Sequence, residues 1–533
     1  MSSVTSSTTS TRPVASGLVI LDYGSQYTLL IARRLREIGV YCEVVDGGRQ
    51  EPPSFQGSFT IHGIILSGGP DSTYDIGARR LPSWILTLGV PVLGICYGMQ
   101  LLIHAFGGKI RGGQGREYGR ETVSLDPEIP GPAGRMFYGL PTHQTVWMSH
   151  GDDVEVMPTE FTGVAHTSGQ VCGAVVHRSM PFVGLQFHPE VQHTEYGKDM
   201  LKRFVTEVCR APVNWNPESR LKATVDLIRK TVGDGRVLVA CSGGVDSTVA
   251  AAVLSRALGP ERVTAVFCDT GLMRKNEVQW VSGALRKLGL THVEILHSAP
   301  VFLKHLAGVV DPEQKRKLIG KLFIEEFQRY AAQSPGAFTH LGQGTLYPDV
   351  IESAGHGAGS KVIKSHHNVG GLPETLHLAL VEPFRFLFKD EVRELGEELG
   401  LPHEMVYRHP FPGPGLAIRI VGAVSEGDLH LVREADDIFI KALRREGLYD
   451  SIWQAFCVLM PIQTVGVMGD NRTYQKTLAL RAVTSRDGMT AEVGDLPISF
   501  LSRLASEIVN KVPGINRVVY DITTKPPATI EWE

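Results

Sequence analysis

The chain has 533 residues, and its 53 Lys and Arg residues nearly balance 56 Asp and Glu residues, leaving a net charge of −3. This length corresponds to about three or four domains of roughly 150 residues each, which excludes a single core. The lack of a basic excess argues against a general nucleic-acid-binding protein. The seven cysteines include no CxxC pair, which argues against a disulfide scaffold or a cysteine-rich zinc site and favours the reducing cytosol.

The first 16 residues, MSSVTSSTTSTRPVAS, differ in composition from the rest of the chain. They are rich in Ser and Thr and lack the apolar core of a secretory signal, so we predict a disordered tail over residues 1–16. A mitochondrial presequence is the alternative, although the segment has a single Arg and little apolar content. No apolar run approaches the roughly 18 residues that a membrane helix needs, so no contact with a membrane is expected.

Residues 17–210 alternate strand-like apolar runs with helical stretches. LVILDY at 18–23 has the composition of a strand, SQYTLLIARRLREIG at 25–39 has helical spacing, and HGIILSGG at 62–69 is a strand followed by a glycine turn. This alternation predicts an α/β domain with a largely parallel sheet. APVNWNPES at 211–219 is rich in Pro and Asn and is typical of a linker.

The α/β pattern then restarts and predicts a second domain over residues 211–407. RVLVACSGG at 236–244 predicts a buried strand with a glycine turn, and RVTAVFCDTG at 262–271 predicts the next strand. Between them, DSTVAAAVLSRALG at 246–259 predicts a helix that ends on a glycine cap.

Residues 408–533 follow a different pattern. The Pro and Gly residues of RHPFPGPGLAIRIVG at 408–422 predict a loop. Helical stretches at 428–446 and 498–510 and strand-like runs at 458–468 and 518–524 come after it. We therefore predict an α/β protein that consists of two successive α/β domains with mainly parallel sheets and a C-terminal α+β domain.

The first candidate site is a cysteine at a strand-to-helix turn. VPVLGICYGMQLLIHAFGG at 90–108 is an apolar strand, a GxCxG turn and a helix, which is the cysteine version of a nucleophile elbow. The helix N-terminus would stabilise a Cys96 thiolate, and the Tyr97 amide would point at an oxyanion. A buried cysteine after a strand is more often only a packing residue. The motif therefore indicates a nucleophile only together with a base elsewhere in the chain.

A base and a group that orients it follow in VGLQFHPEV at 183–191. Side chains two residues apart on an extended segment point the same way, so His188 can accept the Cys96 proton while Glu190 holds the imidazole. The LSGGP turn at 66–70 could donate a second amide, at Gly69, to the oxyanion. An isolated HPE could equally be a surface turn.

These strings resemble the class I glutamine amidotransferases, which carry SGGP, GICYGMQLL and FHPE in the same order over about 190 residues. The resemblance implies hydrolysis of glutamine through a cysteinyl thioester, with release of ammonia. It implies Cys96 as nucleophile, His188 as base and Glu190 as its partner.

The second candidate site is a phosphate-binding loop. A strand leads into SGGVDST, and the helix that follows favours an anion at its N-terminus. No GK[ST] ending occurs, so a lysine for γ-phosphate transfer is missing. SGG alone is a common turn, but the full string resembles the PP-loop of ATP pyrophosphatases, which implies ATP as co-substrate. Asp246 could hold Mg²⁺ against the phosphates. The predicted ATP-binding residues are Ser242, Gly243, Gly244, Val245, Asp246, Ser247 and Thr248.

Further strings make the match closer from about residue 17 to the end. FCDTGLMRKNE, EQKRKLIGKLF, GQGTLYPDVIES, IKSHHNVGGLPE, HPFPGPGLAIR, TVGVMGDNRTY and KPPATIEWE resemble the glutamine-hydrolysing GMP synthetases. The resemblance implies amination of xanthosine 5′-monophosphate (XMP), with conversion of ATP to AMP and pyrophosphate in the presence of Mg²⁺. It also implies that residues 408–533 form a homodimer and help to bind XMP.

The same resemblance implies roles for individual residues. The implied XMP-binding residues are Arg316, Asp470, Lys525, Ile530 and Glu531. The implied lid over the phosphates contains Lys361, Lys364, His366 and His367. Two adjacent histidines could suggest zinc, but no third ligand is evident.

Two alternatives remain open at this stage. One is another glutamine-fed PP-loop amidotransferase, such as a NAD synthetase, although those with a nitrilase-type glutamine domain would use a different triad. The other is a catalytically inactive nucleotide-binding scaffold, which the intact triad and SGGVDS argue against.

Overall fold

The computed structural model describes residues 14–53, 59–333, 337–354, 378–468, 471–485 and 490–533. The chain divides into two compact units. The first contains the described residues as far as Ala223 together with residues 350–354, and the second contains the rest. Within the part that the structure describes, no helix is both long and apolar enough to cross a bilayer.

The first unit is built on a nine-stranded sheet with the order β2-β1-β3-β4-β9-β8-β7-β5-β6. Its strands are β1 Ser16–Asp22, β2 Cys42–Asp46, β3 Thr60–Leu66, β4 Val92–Ile95, β5 Lys109–Leu125, β6 His143–Val156, β7 Phe161–Thr167, β8 Cys172–His177 and β9 Phe182–Leu185. Its helices are α1 Thr28–Glu37, α2 Trp84–Thr87, α3 Tyr97–Ala105 and α4 Gly197–Arg203, with a 3₁₀ turn at Pro132–Phe137 and a π turn at Phe204–Val208. Helix α5, Pro217–Val232, follows.

Only part of this sheet is parallel. Strands β2, β1, β3, β4 and β9 pair in parallel, as the alternation of strands and helices predicts. The sheet continues antiparallel from β9 through β8, β7 and β5 to β6. The connection between β8 and β9, residues 178–181, is far shorter than the dozen or so residues that a parallel crossover needs.

The second unit contains a five-stranded parallel sheet with the order β12-β11-β10-β13-β14. Its strands are β10 Val237–Cys241, β11 Val263–Asp269, β12 His292–His297, β13 His340–Gly342 and β14 Ala379–Val381. The accompanying helices are α6 Val245–Leu258, α7 Glu277–Lys287, α8 Ala299–Leu306, α9 Pro312–Ala332, α10 Tyr347–Ala354, α11 Lys389–Glu398 and α12 His403–Val406, with a 3₁₀ turn at Pro260–Arg262.

The rest of the second unit combines helices with a second sheet, which confirms the predicted α+β class. Strands β15 Gln454–Met468 and β16 Asn471–Thr484 are antiparallel, and β17 Glu492–Val493 pairs with the end of β16 in antiparallel orientation. Strand β18 Ile515–Asp521 pairs with β16 in parallel. Helices α13 Glu426–Arg445 and α14 Ile498–Lys511 supply apolar residues to the core beneath this sheet, and a 3₁₀ turn spans Gly415–Arg419. The three-domain division of the sequence stays a prediction.

The predicted Pro- and Gly-rich loop packs through His409. The His409 ring stacks on Tyr449 with 3.8 Å between centroids. Its Nδ1 accepts from the Ala455 amide at 3.1 Å, so the proton is on Nε2, which lies 3.0 Å from the Tyr449 carbonyl oxygen. Burial lowers the pKa of His409 to about 4.

This burial predicts a pH-dependent stability. Between pH 6.5 and 4 His409 stays neutral in the folded chain but is protonated in the unfolded chain, so acid favours unfolding. The effect of this group alone should approach about 3 kcal/mol, because one pKa unit corresponds to about 1.4 kcal/mol. Urea unfolding of His409→Gln should therefore depend less on pH in this window than unfolding of the wild type. The exposed His403→Gln control should keep the wild-type dependence, and equal slopes in all three proteins would contradict the assignment.

Candidate active sites

A sharp turn in the first unit joins β4 to α3 and carries Cys96. Cys96 has φ +52° and ψ −108°, a conformation that is rare for L residues and is found at strained functional turns. A Cβ added to Gly94 would lie 2.5 Å from the carbonyl group of Gly98, and one added to Gly98 would lie 2.4 Å from the Leu66 carbonyl oxygen. Both glycines are therefore required by the close packing of the turn.

Cys96 lies in a buried cluster with His188 and Glu190. His188 Nδ1 and Glu190 Oε1 are 2.7 Å apart, and the Cys96 sulfur is close enough to influence the pKa of the imidazole. Cys96 is 7% exposed, His188 3% and Glu190 1%, so the cluster is shielded from bulk water. The structure thus brings together the three side chains that the sequence selects as nucleophile, base and orienting carboxylate.

Opposing effects control the protonation of His188. Burial lowers the pKa of His188, but the Glu190 carboxylate and the Cys96 sulfur outweigh burial and raise it well above its usual value. Because Nδ1 faces Glu190, Nε2 is the nitrogen available to the sulfur. These two partners therefore favour the imidazolium form of His188.

The side chains of Gln186 and Thr194 and the backbone of Trp147 support this cluster, and no local sequence pattern selects these three residues. The side-chain amide of Gln186 donates from Nε2 to the Cys96 sulfur at 3.6 Å. The Thr194 hydroxyl donates to the His188 carbonyl oxygen at 2.6 Å, and the His188 amide donates to the Trp147 carbonyl oxygen at 3.0 Å. Trp147 is on β6, so its proximity depends on the antiparallel half of the sheet.

The SGGP turn lies beside His188. A Cβ added to Gly68 would lie 3.4 Å from His188 Cε1, whereas one added to Gly69 would lie 2.7 Å from the Tyr23 carbonyl oxygen. Tyr97 is the first residue of α3, so its amide has no acceptor within the helix. The oxyanion role of the Gly69 and Tyr97 amides stays a prediction.

The SGGVDST string forms a strand-to-helix turn in the second unit. It follows β10, and α6 begins at Val245, with Gly243 at φ +81°. The Ser247 and Thr248 hydroxyls donate to the Gly244 carbonyl oxygen at 3.1 and 2.9 Å. These bonds fix the turn, and the first amides of the helix remain available to an anion.

Asp246 in this loop has a partner that the sequence did not reveal. Lys389 Nζ, at the start of α11, lies 2.7 and 2.5 Å from the two carboxylate oxygens. No group of three metal-binding side chains occurs among the described residues. A single carboxylate still suits Mg²⁺, because this ion commonly combines one or two carboxylates with substrate phosphates.

The loop at 408–422 reaches the same turn. Arg408 Nη1 donates to the Gly243 carbonyl oxygen at 2.7 Å, and Nη2 pairs with Glu277 Oε1 at 2.5 Å. Arg408 and Glu277 are both buried. The Pro- and Gly-rich segment is therefore attached to the predicted ATP loop rather than being a simple connector.

The last residues of the chain are also anchored. Glu531 pairs with Arg419 at 2.9 Å, Arg316 donates to the Glu533 carbonyl oxygen, and Lys525 forms two backbone hydrogen bonds with Ala491. A cavity of about 590 Å³ borders this segment. Its lining includes Asp521, Thr523, Thr529, Glu531 and Trp532.

Some predicted residues are not brought to this cavity. Ile530 is buried under β15 and β16, and Lys525 is absent from the lining. Asp470 lies outside the described residues, as do all four predicted lid residues, namely Lys361, Lys364, His366 and His367.

Comparisons with known proteins assign a class to each stretch. Residues 19–208 match the family described as glutamine amidotransferase class-I, residues 220–307 match NAD synthase, and residues 441–532 match the GMP synthase C terminal domain. The fold and sites therefore define a class I amidotransferase joined to an ATP-using synthetase.

Full-length relatives identify the family. The GMP synthase [glutamine-hydrolyzing] of Aquifex aeolicus is 51% identical over 97% of this chain and 99% of its own length. The proteins of the same name from Thermomicrobium roseum and Bdellovibrio bacteriovorus are 50% and 51% identical, over 100% and 97% of this chain and 100% of their own lengths. The chain belongs to the glutamine-hydrolysing GMP synthase family. The C-terminal match and these relatives favour this family over the NAD synthetases.

The packing of the elbow predicts that Gly98→Ala disables glutamine hydrolysis. The added methyl would overlap the Leu66 carbonyl oxygen, and moving a nucleophile by about 1 Å can cost about 100-fold in rate. Glutaminase kcat/KM should fall by about that factor. Gly169→Ala is the matched control in the same unit, since its Cβ would meet nothing closer than 3.6 Å. Glutaminase activity within twofold of wild type in Gly98→Ala would show that the elbow tolerates the contact.

Proposed function

We propose that the chain catalyses the ATP-dependent amination of XMP to GMP with ammonia released from glutamine, and that it produces AMP, pyrophosphate and glutamate. The observation that carries the proposal is the presence of two unlike sites on one chain: the Cys96, His188 and Glu190 cluster, and the SGGVDST turn. Each corresponds to one half of the reaction. About 50% identity to GMP synthases over the whole length supports the choice of acceptor.

In the first half-reaction, Cys96 gives its thiol proton to His188, and the sulfur attacks the side-chain carbonyl carbon of glutamine. The imidazolium of His188 gives its proton to the departing nitrogen, so ammonia leaves and a thioester remains. His188 then takes a proton from the water that cleaves the thioester to glutamate. Glu190 orients the imidazole and stabilises its positive charge. The amides of Gly69 and Tyr97 are the proposed donors to the oxyanion.

In the second half-reaction, the oxygen on carbon 2 of the xanthine base attacks the α-phosphorus of ATP. Pyrophosphate leaves and adenyl-XMP forms, after which ammonia displaces AMP at carbon 2. Amides and hydroxyls of Ser242–Thr248 would hold the phosphates. When bound at Asp246, Mg²⁺ would neutralise charge on the departing pyrophosphate.

The remaining assignments are also proposals. XMP would contact Arg316, Asp470, Lys525, Ile530 and Glu531, and a lid with Lys361, Lys364, His366 and His367 would close over the phosphates. The exposed apolar residues Ile462, Val465, Val467 and Tyr474 on β15 and β16 provide a surface suited to a homodimer. The seven cysteines form no disulfide with one another, which fits the reducing cytosol.

The two halves should be separable by substitution of Cys96. Cys96→Ala removes the nucleophile, so GMP formation from glutamine should fall by about 10⁴-fold or more, as losses of catalytic nucleophiles do. GMP formation from added ammonium should stay within about twofold of wild type, because the second site needs only ammonia. Cys172→Ala in the same unit is the control and should change neither rate. Loss of the ammonium-dependent reaction in Cys96→Ala would contradict the modular scheme.

The charge of Asp246 should matter only in the second half-reaction, the ATP-dependent amination. Asp246→Asn weakens the hold on Mg²⁺ and leaves Lys389 without its partner, so synthesis from either nitrogen source should fall by about 100-fold. Basal glutaminase activity should persist. The control is Asp234→Asn, an exposed carboxylate that precedes β10. Wild-type synthesis in Asp246→Asn at limiting Mg²⁺ would remove Asp246 from the ATP site.

A further inference from the structure

The segment from Asp521 to Glu533, called here the tail segment, contains almost no regular secondary structure after β18. Terminal segments of this kind are poorly ordered unless other groups hold them. Besides Arg316, which donates to the Glu533 carbonyl oxygen, three fully buried cationic side chains contact it. They are Lys315, Arg419 and Arg481, and each side chain is 0% exposed. Three fully buried cations that converge on one irregular segment call for an explanation.

Arg481, on β16, makes the largest number of these contacts. Its Nε donates to the Ile530 carbonyl oxygen at 2.8 Å and its Nη2 to the Thr529 carbonyl oxygen at 2.9 Å. Its Nη1 donates to Asp521 Oδ2 at 2.7 Å and to the Thr523 carbonyl oxygen at 3.0 Å. One guanidinium therefore joins the beginning of the tail segment to its end.

Arg419 fixes the carboxylate of Glu531. It donates from Nε to Oε2 at 3.2 Å and from Nη2 to Oε1 at 2.9 Å, and Gln454 donates to Oε1 at 2.7 Å. An ionised carboxylate offers about four acceptor positions. These described contacts occupy three of them, so one position on Oε2 remains for a further donor.

Lys315 holds the end of the tail segment from α9. Its Nζ donates to the carbonyl oxygens of Ala417 at 3.1 Å and Ile420 at 2.8 Å and pairs with the Glu533 carboxylate. The Gly422 amide donates to Glu533 Oε1 at 3.1 Å. Lys315 thus connects Glu533 to the second half of the Pro- and Gly-rich loop at 408–422.

Burying charges only to fill space is costly, since apolar residues of similar volume usually serve as well or better. We propose that Lys315, Arg419 and Arg481 are positioning residues, which hold the tail segment as a preformed wall of the 590 Å³ cavity and thereby prepare the nucleotide-binding subsite. This inference rests on the proposed function, because it takes XMP to meet the tail segment at Glu531, which lines that cavity. A wall ordered before binding spares the nucleotide the cost of ordering it.

The first test is kinetic and uses Lys315→Met, with Arg481→Lys as a second variant that keeps the charge but cannot reach all four acceptors. In both, KM for XMP should rise by about tenfold or more, while kcat and KM for ATP stay within about twofold. Lys321→Met changes a 71% exposed lysine on the same helix and should leave every constant unchanged. Equal losses in kcat and in both KM values would indicate a general structural role and overturn the proposal.

The second test does not depend on catalysis. Hydrogen exchange of the substrate-free protein should be slow in peptides covering 521–533 in the wild type and faster in Lys315→Met and Glu533→Gln. Unchanged exchange in both variants would show that the buried cations do not order the segment. Faster exchange with an unchanged KM for XMP would show that its order does not serve binding. If instead no GMP forms in the wild type, the proposed function fails while the exchange result still reports on the anchoring contacts.

Discussion

Both proposed sites depend on the same constraint, which is that a glycine turn must bring one backbone segment against another at the end of a parallel strand. In the first unit Gly98 packs against the carbonyl group of Leu66, and any side chain there would overlap it. In the second unit Gly243 adopts φ +81°, so that the SGGVDST turn can lead directly into α6. Each turn places a reactive group or a row of amides at a helix N-terminus.

Buried charge is the second feature that the two sites share. In the first unit the Glu190 carboxylate keeps the His188 imidazole protonated despite burial. In the second unit Arg408 holds the SGGVDST turn through Gly243, and Arg481 and Arg419 hold the residues around the cavity. A buried cation without its partner is strongly destabilising, so these pairs give each site one defined geometry before any substrate binds.

Much of this arrangement could be predicted from sequence because it is local. The elbow and the phosphate loop are each a strand, a turn and a helix within about 20 residues, and His188 and Glu190 are two residues apart. The partners that complete the sites could not be predicted. Lys389 is 143 residues from Asp246, and Arg408 is 165 residues from Gly243. Such contacts depend on how strands and helices pack, and no local pattern specifies them. The local pattern likewise does not specify that β9, β8, β7, β5 and β6 pair in antiparallel orientation.

Glutamine hydrolysis and ATP-dependent amination of XMP should be coupled in this chain. The most direct test is to incubate the protein with XMP, ATP, Mg²⁺ and glutamine and to measure GMP, AMP and glutamate together. We expect equal amounts of all three products, because each turnover consumes one molecule of each substrate. AMP and glutamate without GMP would contradict this coupling and would mean that the synthetase site uses a different acceptor.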